Sequence, residues 1–322
     1  MRTISFREAI RDAILEEMER DDRVFVLGED VIAHGGPYGV TKGIAEKFPD
    51  RIRETPISES GIAGVTLGAA LVGMRPIAEI MYVDFVTCCM DEIVNQAAKI
   101  RYMFGGQTDV PLVIRLPCGA ARLIAAQHSQ TLEAWFMYIP GLRVVVPSTP
   151  YDAKGLMKAA IRSKDPVLYF EYKRMYSMEG PVPEEEYVIP LGQADIKREG
   201  TDVTVIATGP MVHKALEAAA KLEPEGISLE VVDPRSLAPL DKETIFRSVE
   251  KTNRVVIAEE ECKTGSTGAE IAALICEERF DYLDGPIKRV AAKDVPMPYS
   301  PALVPLVIPQ TEDIIAAVKS FF

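Results

Sequence analysis

The feature that most constrains this chain is a regular alternation of short apolar runs with stretches of helical length. Residues 24–27, 77–81, 112–116, 144–146 and 167–172 read as strands buried on both faces. Ser5-Phe6-Arg7-Glu8 has the form of a capping box, opening a helix that carries Ala9, Ile10, Ala13, Ile14 and Met18. An extended segment over 51–57 feeds a small-residue helix from Gly61. A long helix is predicted over 85–103, a further one near 131–138, and another from Pro150, well placed in a first turn, to about 163. Beyond residue 176, Gly180-Pro181-Val182-Pro183 and Glu184-Glu185-Glu186 mark a surface linker over 177–202. The alternation then restarts, with strands at 203–208, 229–233, 254–259 and 287–291 and helices near 212–221, 242–249, 269–280 and 312–321. Strands separated by helices predict the α/β class: two layered parallel-sheet domains, 1–176 and 203–322.

Composition narrows the function classes. Asp and Glu number 48 against 36 Lys and Arg, a net charge of −12, which argues against a nucleic-acid backbone as ligand. The longest uncharged apolar run, Gly61 to Met74, holds four glycines and falls short of the roughly 20 residues a membrane span needs. The N-terminal stretch carries acids and no unbroken apolar segment, unlike a secretory signal. A cytoplasmic protein without membrane or nucleic-acid partner is the expectation. The five cysteines, Cys88, Cys89, Cys118, Cys262 and Cys276, form no C-x-x-C pair, so neither a disulfide framework nor a zinc ribbon is expected. With only His34, His128 and His213, a histidine cluster is excluded, and no HExxH, GxSxG, P-loop or GxGxxG motif occurs.

Ligands of open parallel sheets gather beyond the carboxyl ends of the strands. In the first domain those positions carry Glu29, Glu59, the segment Tyr82-Val83-Asp84-Phe85 and the loop with His128. Glu59, between a strand and a helix start, is open to two readings. It caps the helix as an anion, or it sits in apolar surroundings that raise its pKa and let it share a proton. The stripe Gly61, Gly64, Gly68 and Ala69 behind it serves either tight packing within the domain or a subunit interface. His128 is structural or catalytic, and Phe85 is core or a stacking platform.

Thr55-Pro-Ile-Ser-Glu-Ser-Gly61, Met81-Tyr-Val-Asp-Phe85, Gln127-His-Ser-Gln130, Pro140-Gly-Leu-Arg-Val-Val-Val-Pro147, Asp165-Pro-Val-Leu-Tyr-Phe-Glu171, Val232-Asp-Pro-Arg-Ser-Leu237 and Glu259-Glu-Glu261 carry a resemblance. Together they resemble the β subunit of the thiamine-diphosphate-dependent E1 component of 2-oxo acid dehydrogenase complexes, over essentially the whole chain. The resemblance implies a pyrimidine-binding domain followed by a transketolase C-terminal-like domain. It implies that Glu59 hydrogen-bonds N1′ of the cofactor's aminopyrimidine, favouring the imino tautomer that deprotonates the thiazolium C2. Phe85 is then the aromatic beside the pyrimidine and Glu29 an acid in the nearby polar network. His128 faces the substrate and the incoming lipoyl group as a proton donor or shuttle. Leu112, Ala160, Ile161 and Asp165 align with a structural monovalent-cation (K+) site of some members.

Other parts of the family's pattern are missing. The GDG…NN-type segment that holds diphosphate and Mg2+ on the α chain has no counterpart, since no Gly-Asp-Gly occurs and the asparagines are Asn95 and Asn253. The resemblance therefore implies half an active site, completed by an E1 α subunit in an α2β2 heterotetramer that works with the E2 lipoyl acyltransferase. The implied substrate is a small 2-oxo acid or acetoin, and segment 81–115 looks nearer to pyruvate and acetoin members than to branched-chain ones. Before His128, Gly119-Ala-Ala-Arg-Leu-Ile-Ala-Ala126 departs from the glycine-rich pattern, with Arg122, Leu123 and Ile124 adding bulk and charge. Two other readings are a split transketolase-like C–C lyase without lipoyl acceptor and a noncatalytic scaffold or regulatory β-like subunit. Glu59 and His128 together argue against the scaffold.

Overall fold

The computed structural model describes every residue except 121–123. The chain divides into two units, Met1–Cys118 with Trp135–Leu191, and Gly119–Ala134 with Gly192–Phe322.

In the first unit, β1 (Arg2–Ser5) and β8 (Glu179–Val182) form an antiparallel ribbon. The main sheet of this unit holds β2 (Val24–Gly28), β3 (Ile52–Glu54), β4 (Arg75–Glu79), β5 (Val113–Cys118), β6 (Arg143–Val145) and β7 (Val167–Tyr172), all parallel, in the order β6-β7-β5-β4-β2-β3. The chain turns outward from β2 to β3 and then crosses back to β4, so the topological switch lies between β2 and β4. A doubly wound sheet opens its ligand crevice at that point.

The capping box is present: the Ser5 amide donates to Glu8 and the Glu8 amide to Ser5 Oγ. The helix it starts, Phe6–Arg20, packs against the helix Pro150–Arg162. Lys154 and Lys158 of the latter are buried and both pair with Glu16 at 2.6 Å, which offsets their desolvation. Thr149 caps that helix and Pro150 occupies its first turn.

The helix expected over 85–103 is not continuous. A 3-10 segment (Val83–Cys89) passes through a π-turn (Asp91–Ala97) into a short α-helix (Ala98–Met103). The Asp91 carboxylate accepts from both Asn95 and Gln96, four and five residues on, and the second bond suits the wider π repeat. Apolar periodicity alone does not register such a change of pitch.

In the second unit β14 (Lys288–Ala292), β13 (Val255–Cys262), β10 (Val203–Ala207), β11 (Leu229–Asp233) and β9 (Asp195–Arg198) follow in that order. All are parallel but β9. A short strand, β12 (Ser236–Ala238), follows β11 in the chain. Helices Pro210–Leu222 and Thr311–Lys319 pack one apolar face around Val203, Val205 and Val231, while Lys242–Thr252 and Thr267–Glu278 cover the other around Ile206, Val232 and Ile257.

Two domain expectations differ from the structure. The stretch 177–202 is not a free linker, because β8 pairs with β1 and β9 with β11. Within it Tyr187 stacks on Tyr151 at 4.6 Å and the Ile189 amide reaches the Gly155 carbonyl. Its acidic centre, Glu184 to Glu186, is exposed, and the units divide after Leu191. The segment Gly119–Ala134, expected within 1–176, groups with the second unit. Its ties are backbone amides bonded to distant glutamates, which no local pattern reveals.

Candidate functional site

At the carboxyl edge of the first sheet, Gly28, Glu54 and Glu79 stand level across β2, β3 and β4. Glu29 follows Gly28 and is 8% exposed. Burial raises its carboxyl above the ordinary range, and the charges of Glu59, Asp30 and Glu79 push the same way. Glu59 is the first residue of the helix Glu59–Leu71, whose cap is Ser58: its Oγ accepts the Gly61 amide at 3.3 Å. The capping reading thus belongs to Ser58. Glu59 is half-buried, and among the described residues its carboxylate takes no hydrogen bond or ion pair.

Glu79 belongs to a buried network that sequence reading missed. Arg115, 0% exposed, donates twice to Glu171 at 2.7 Å and once to Glu79, and the Tyr176 hydroxyl donates to Glu171 at 2.6 Å. Burial drives the Glu79 carboxyl up, and Arg115 opposes it. Its second oxygen, Oε1, is buried without a hydrogen bond. Gly36 (φ +76°) lies against that oxygen, which a Cβ there would meet at 3.0 Å. A sequence signal did exist: Arg115 in β5 and Glu171 in β7 each stand as a lone charge inside a strand without other charges, and Glu79 closes β4.

From this network an aromatic chain runs outward. Tyr176 stacks on Tyr38 at 4.7 Å, Tyr38 meets Tyr82 edge-on at 6.2 Å, and Tyr82 meets Phe85 edge-on at 6.0 Å. Val83 and Val86 are fully buried, whereas Phe85 is only half-buried, so part of its ring remains accessible. Behind Glu59, Gly61, Gly64, Val65, Gly68 and Val72 form an exposed face, and added Cβ atoms at Gly64 and Gly68 would meet nothing within 4 Å. Packing within the unit does not account for that stripe.

In the second unit His128 ends a 3-10 turn, Ala126–His128, that follows Ala125, a non-glycine residue at φ +60°. His128 is half-buried and Ser129 is buried. The Gly119 amide donates to the Gln130 carbonyl at 2.8 Å. The Ala120 amide donates to Glu260 and the Ala134 amide to Glu261, both at 2.9 Å. Arg122 and Leu123 lie outside the described residues; Ile124 is half-buried.

Leu112, Ala160, Ile161 and Asp165 collect at the opposite end of the first sheet. Their carbonyls accept, in that order, from the Val167 amide, the Ser163 amide, Arg75 Nη1 (2.7 Å) and Ser163 Oγ. Arg75 Nη1 also donates to the Ser163 carbonyl at 2.9 Å, and the Asp165 carboxylate is held by Arg101 and Arg143. A monovalent cation bound there would share the Ile161 carbonyl with a guanidinium. Among the described residues no three His, Cys, Asp or Glu side chains converge to hold a metal, and no helix is long and apolar enough to cross a membrane.

Residues 2–178 match the pyrimidine-binding domain of transketolase, and residues 192–314 match its C-terminal domain. The chain is 50% identical to the β subunit of acetoin:2,6-dichlorophenolindophenol oxidoreductase of Bacillus subtilis, over 98% of this chain and 96% of that one. It is 49% identical to the pyruvate dehydrogenase E1 component subunit β of Rickettsia felis, over 98% and 97%. The chain belongs to the E1 β branch of the transketolase family. This E1 β chain is also 51% identical to the 2-oxoisovalerate dehydrogenase subunit β of Bacillus subtilis, over 94% of each. Identities so close do not choose among the three named activities. Among solved structures, a split-gene transketolase described as an inactive β4 tetramer superposes with a TM-score of 0.81 at 28% identity, over 98% of this chain and 97% of that one.

Proposed function

We propose that this E1 β chain, joined to a separate α chain as an α2β2 heterotetramer in the cytoplasm, decarboxylates a small 2-oxo acid or cleaves acetoin with thiamine diphosphate. The acyl group then passes to the lipoyl group of an E2 acyltransferase. The observation that carries this reading is the Glu59 carboxylate, half-buried and without a hydrogen bond or ion pair among the described residues, at the edge where Glu29 is buried. Such a group suits a ligand nitrogen that shares its proton.

Bound thiamine diphosphate supplies the electron sink that cleavage next to a carbonyl requires. Glu59 would hold the proton at N1′ of the aminopyrimidine. Glu29, pushed towards its neutral form, relieves like-charge repulsion on Glu59. The accessible side of Phe85 would lie against the pyrimidine, and His128 would donate or accept a proton at the substrate or lipoyl group. Diphosphate and Mg2+ are assigned to the α chain, since a chain of net charge −12 without a cluster of metal ligands among its described residues offers them little. The inactive β4 form of the split transketolase supports a β chain that needs its partner. A K+ ion at the Leu112, Ala160, Ile161 and Asp165 carbonyls would be structural. The scaffold and the lyase without lipoyl acceptor are less favoured, because the relatives named above are subunits of an oxidoreductase and of dehydrogenases.

Calorimetry on the chain alone and on the co-purified α/β complex tests the assignment. The complex should bind thiamine diphosphate with Mg2+ and turn over at least one of pyruvate, 2-oxobutyrate, branched 2-oxo acids or acetoin, while the single chain binds none. Tight, metal-dependent binding by the single chain would sink the half-site reading. A cofactor-loaded complex inert towards the whole panel would sink the reaction.

A further inference from the structure

We propose that Glu260 and Glu261 are positioning residues for His128, holding the backbone at both ends of the 119–134 segment so that its histidine is presented in one place. The proposal rests on the acyl-transfer role given to His128 above.

Strand β13 runs into three successive acids, Glu259, Glu260 and Glu261, that are 1%, 2% and 4% exposed. Carboxylates so deeply placed need donors for their oxygens. Glu259 is occupied within its own layer: it accepts Ser266 Oγ, Thr267 Oγ1 and the Gly268 amide at the start of the helix Thr267–Glu278. Gly268 makes room for it, since a Cβ there would stand 2.6 Å from a Glu259 oxygen.

The next two acids reach the histidine segment instead. Glu260 takes the Ala120 amide on Oε1 and Thr131 Oγ1 on its backbone carbonyl. Glu261 takes the Ala134 amide on Oε1, while Oε2 takes the Thr267 amide at 3.0 Å and its hydroxyl. The segment is thereby tied to a helix N-terminus, where an anion is favoured. The Gly119–Gln130 bond closes the segment beside the Ala120 anchor, and the positive φ of Ala125 is a conformation that surrounding contacts have to impose. A strand end that only needed solubility would leave its acids in water.

The test uses the α/β complex carrying Glu260→Ala, Glu260→Gln, Glu261→Ala or Glu261→Gln, each alone and with His128→Ala. Decarboxylation is read with the dye 2,6-dichlorophenolindophenol, acyl transfer with a free lipoyl domain, and amide exchange on peptides containing Ala120 and Ala134. The alanine variants should lose about tenfold in lipoyl acylation and less than about twofold in the dye reaction. Glutamine at 260, which keeps a carbonyl acceptor for the Ala120 amide, should restore most of the loss; at 261, where each carboxylate oxygen accepts a backbone amide, it should restore only part. Exchange at the anchored amide should quicken about tenfold, and in the His128→Ala background the same substitutions should cost nothing further. Equal losses in both half-reactions, additivity with His128→Ala, or unchanged exchange would overturn the proposal. A wild-type complex that transfers no acyl group would refute the parent reading instead, and exchange alone would then decide whether these acids hold the segment.

Discussion

Arg115 is the most exacting place to perturb the site, because two buried carboxylates depend on it. In Arg115→Met a side chain of similar length fills the space but provides none of the three donors now given to Glu171 and Glu79. Removing one partner of a buried ion pair typically costs about 3–5 kcal/mol, mostly the penalty of the charge left behind. Here two carboxylates are stranded together, which places the loss at the upper end at pH 8. Burial already raises Glu79, and without Arg115 it rises further. A carboxyl whose folded pKa is raised contributes stability that is complete below its ordinary value and lost as the pH climbs through the folded one. The deficit should therefore be largest at pH 8 and shrink towards pH 5.5. Urea unfolding of the complex at both pH values measures it, and adding Glu79→Gln should recover part of the loss at pH 8. A variant within about 1 kcal/mol of wild type at pH 8, or a deficit equal at both pH values, would refute the electrostatic account.

Three further outcomes follow from the same geometry. Glu59→Gln should slow exchange of the cofactor's C2 proton by about 10²-fold or more while the complex still assembles; an ordinary exchange rate would leave Glu59 no more than a helix-end acid. Burial, with the Glu259 charge beside it, pushes the Glu261 carboxyl up to about 7, so its contribution is complete below 4.5 and lost as pH rises through about 7. Glu261→Gln should flatten the stability profile between pH 5 and 8, and an unchanged slope would remove Glu261 as its source. Gly36→Ala places a methyl 3.0 Å from Glu79 Oε1 at φ +76°. A loss of about 1–2 kcal/mol and weaker cofactor binding by the complex should follow, both readable by calorimetry.

The elements of this protein were largely legible in its residues, because strands buried on both faces are written as short apolar runs and helix starts carry local caps. Ser5 with Glu8, Pro150 at a helix start, and the strands around Val26, Ile114 and Val231 needed only neighbouring positions to be read. The π-turn at 91–97 escaped because apolar periodicity does not record which carbonyl an amide chooses. Glu29, Glu59 and Phe85 stand out in the sequence as residues that follow strands, and the fold brings the charges of Glu29 and Glu59 close enough to interact.

What only the tertiary structure decided is how distant charges meet. Glu79, Arg115 and Glu171 come from three strands far apart in the chain; parallel register sets Glu79 level with Arg115, and the Arg115 side chain reaches Glu171 two residues further along β7. The placement of 119–134 against β13 likewise depends on carboxylates reaching backbone amides more than 120 residues away. Local sequence determines which segments are strand and helix, because propensity and burial act on neighbours. Long-range electrostatics is settled by the fold, since a buried charge is tolerable only where its partner arrives by way of the sheet.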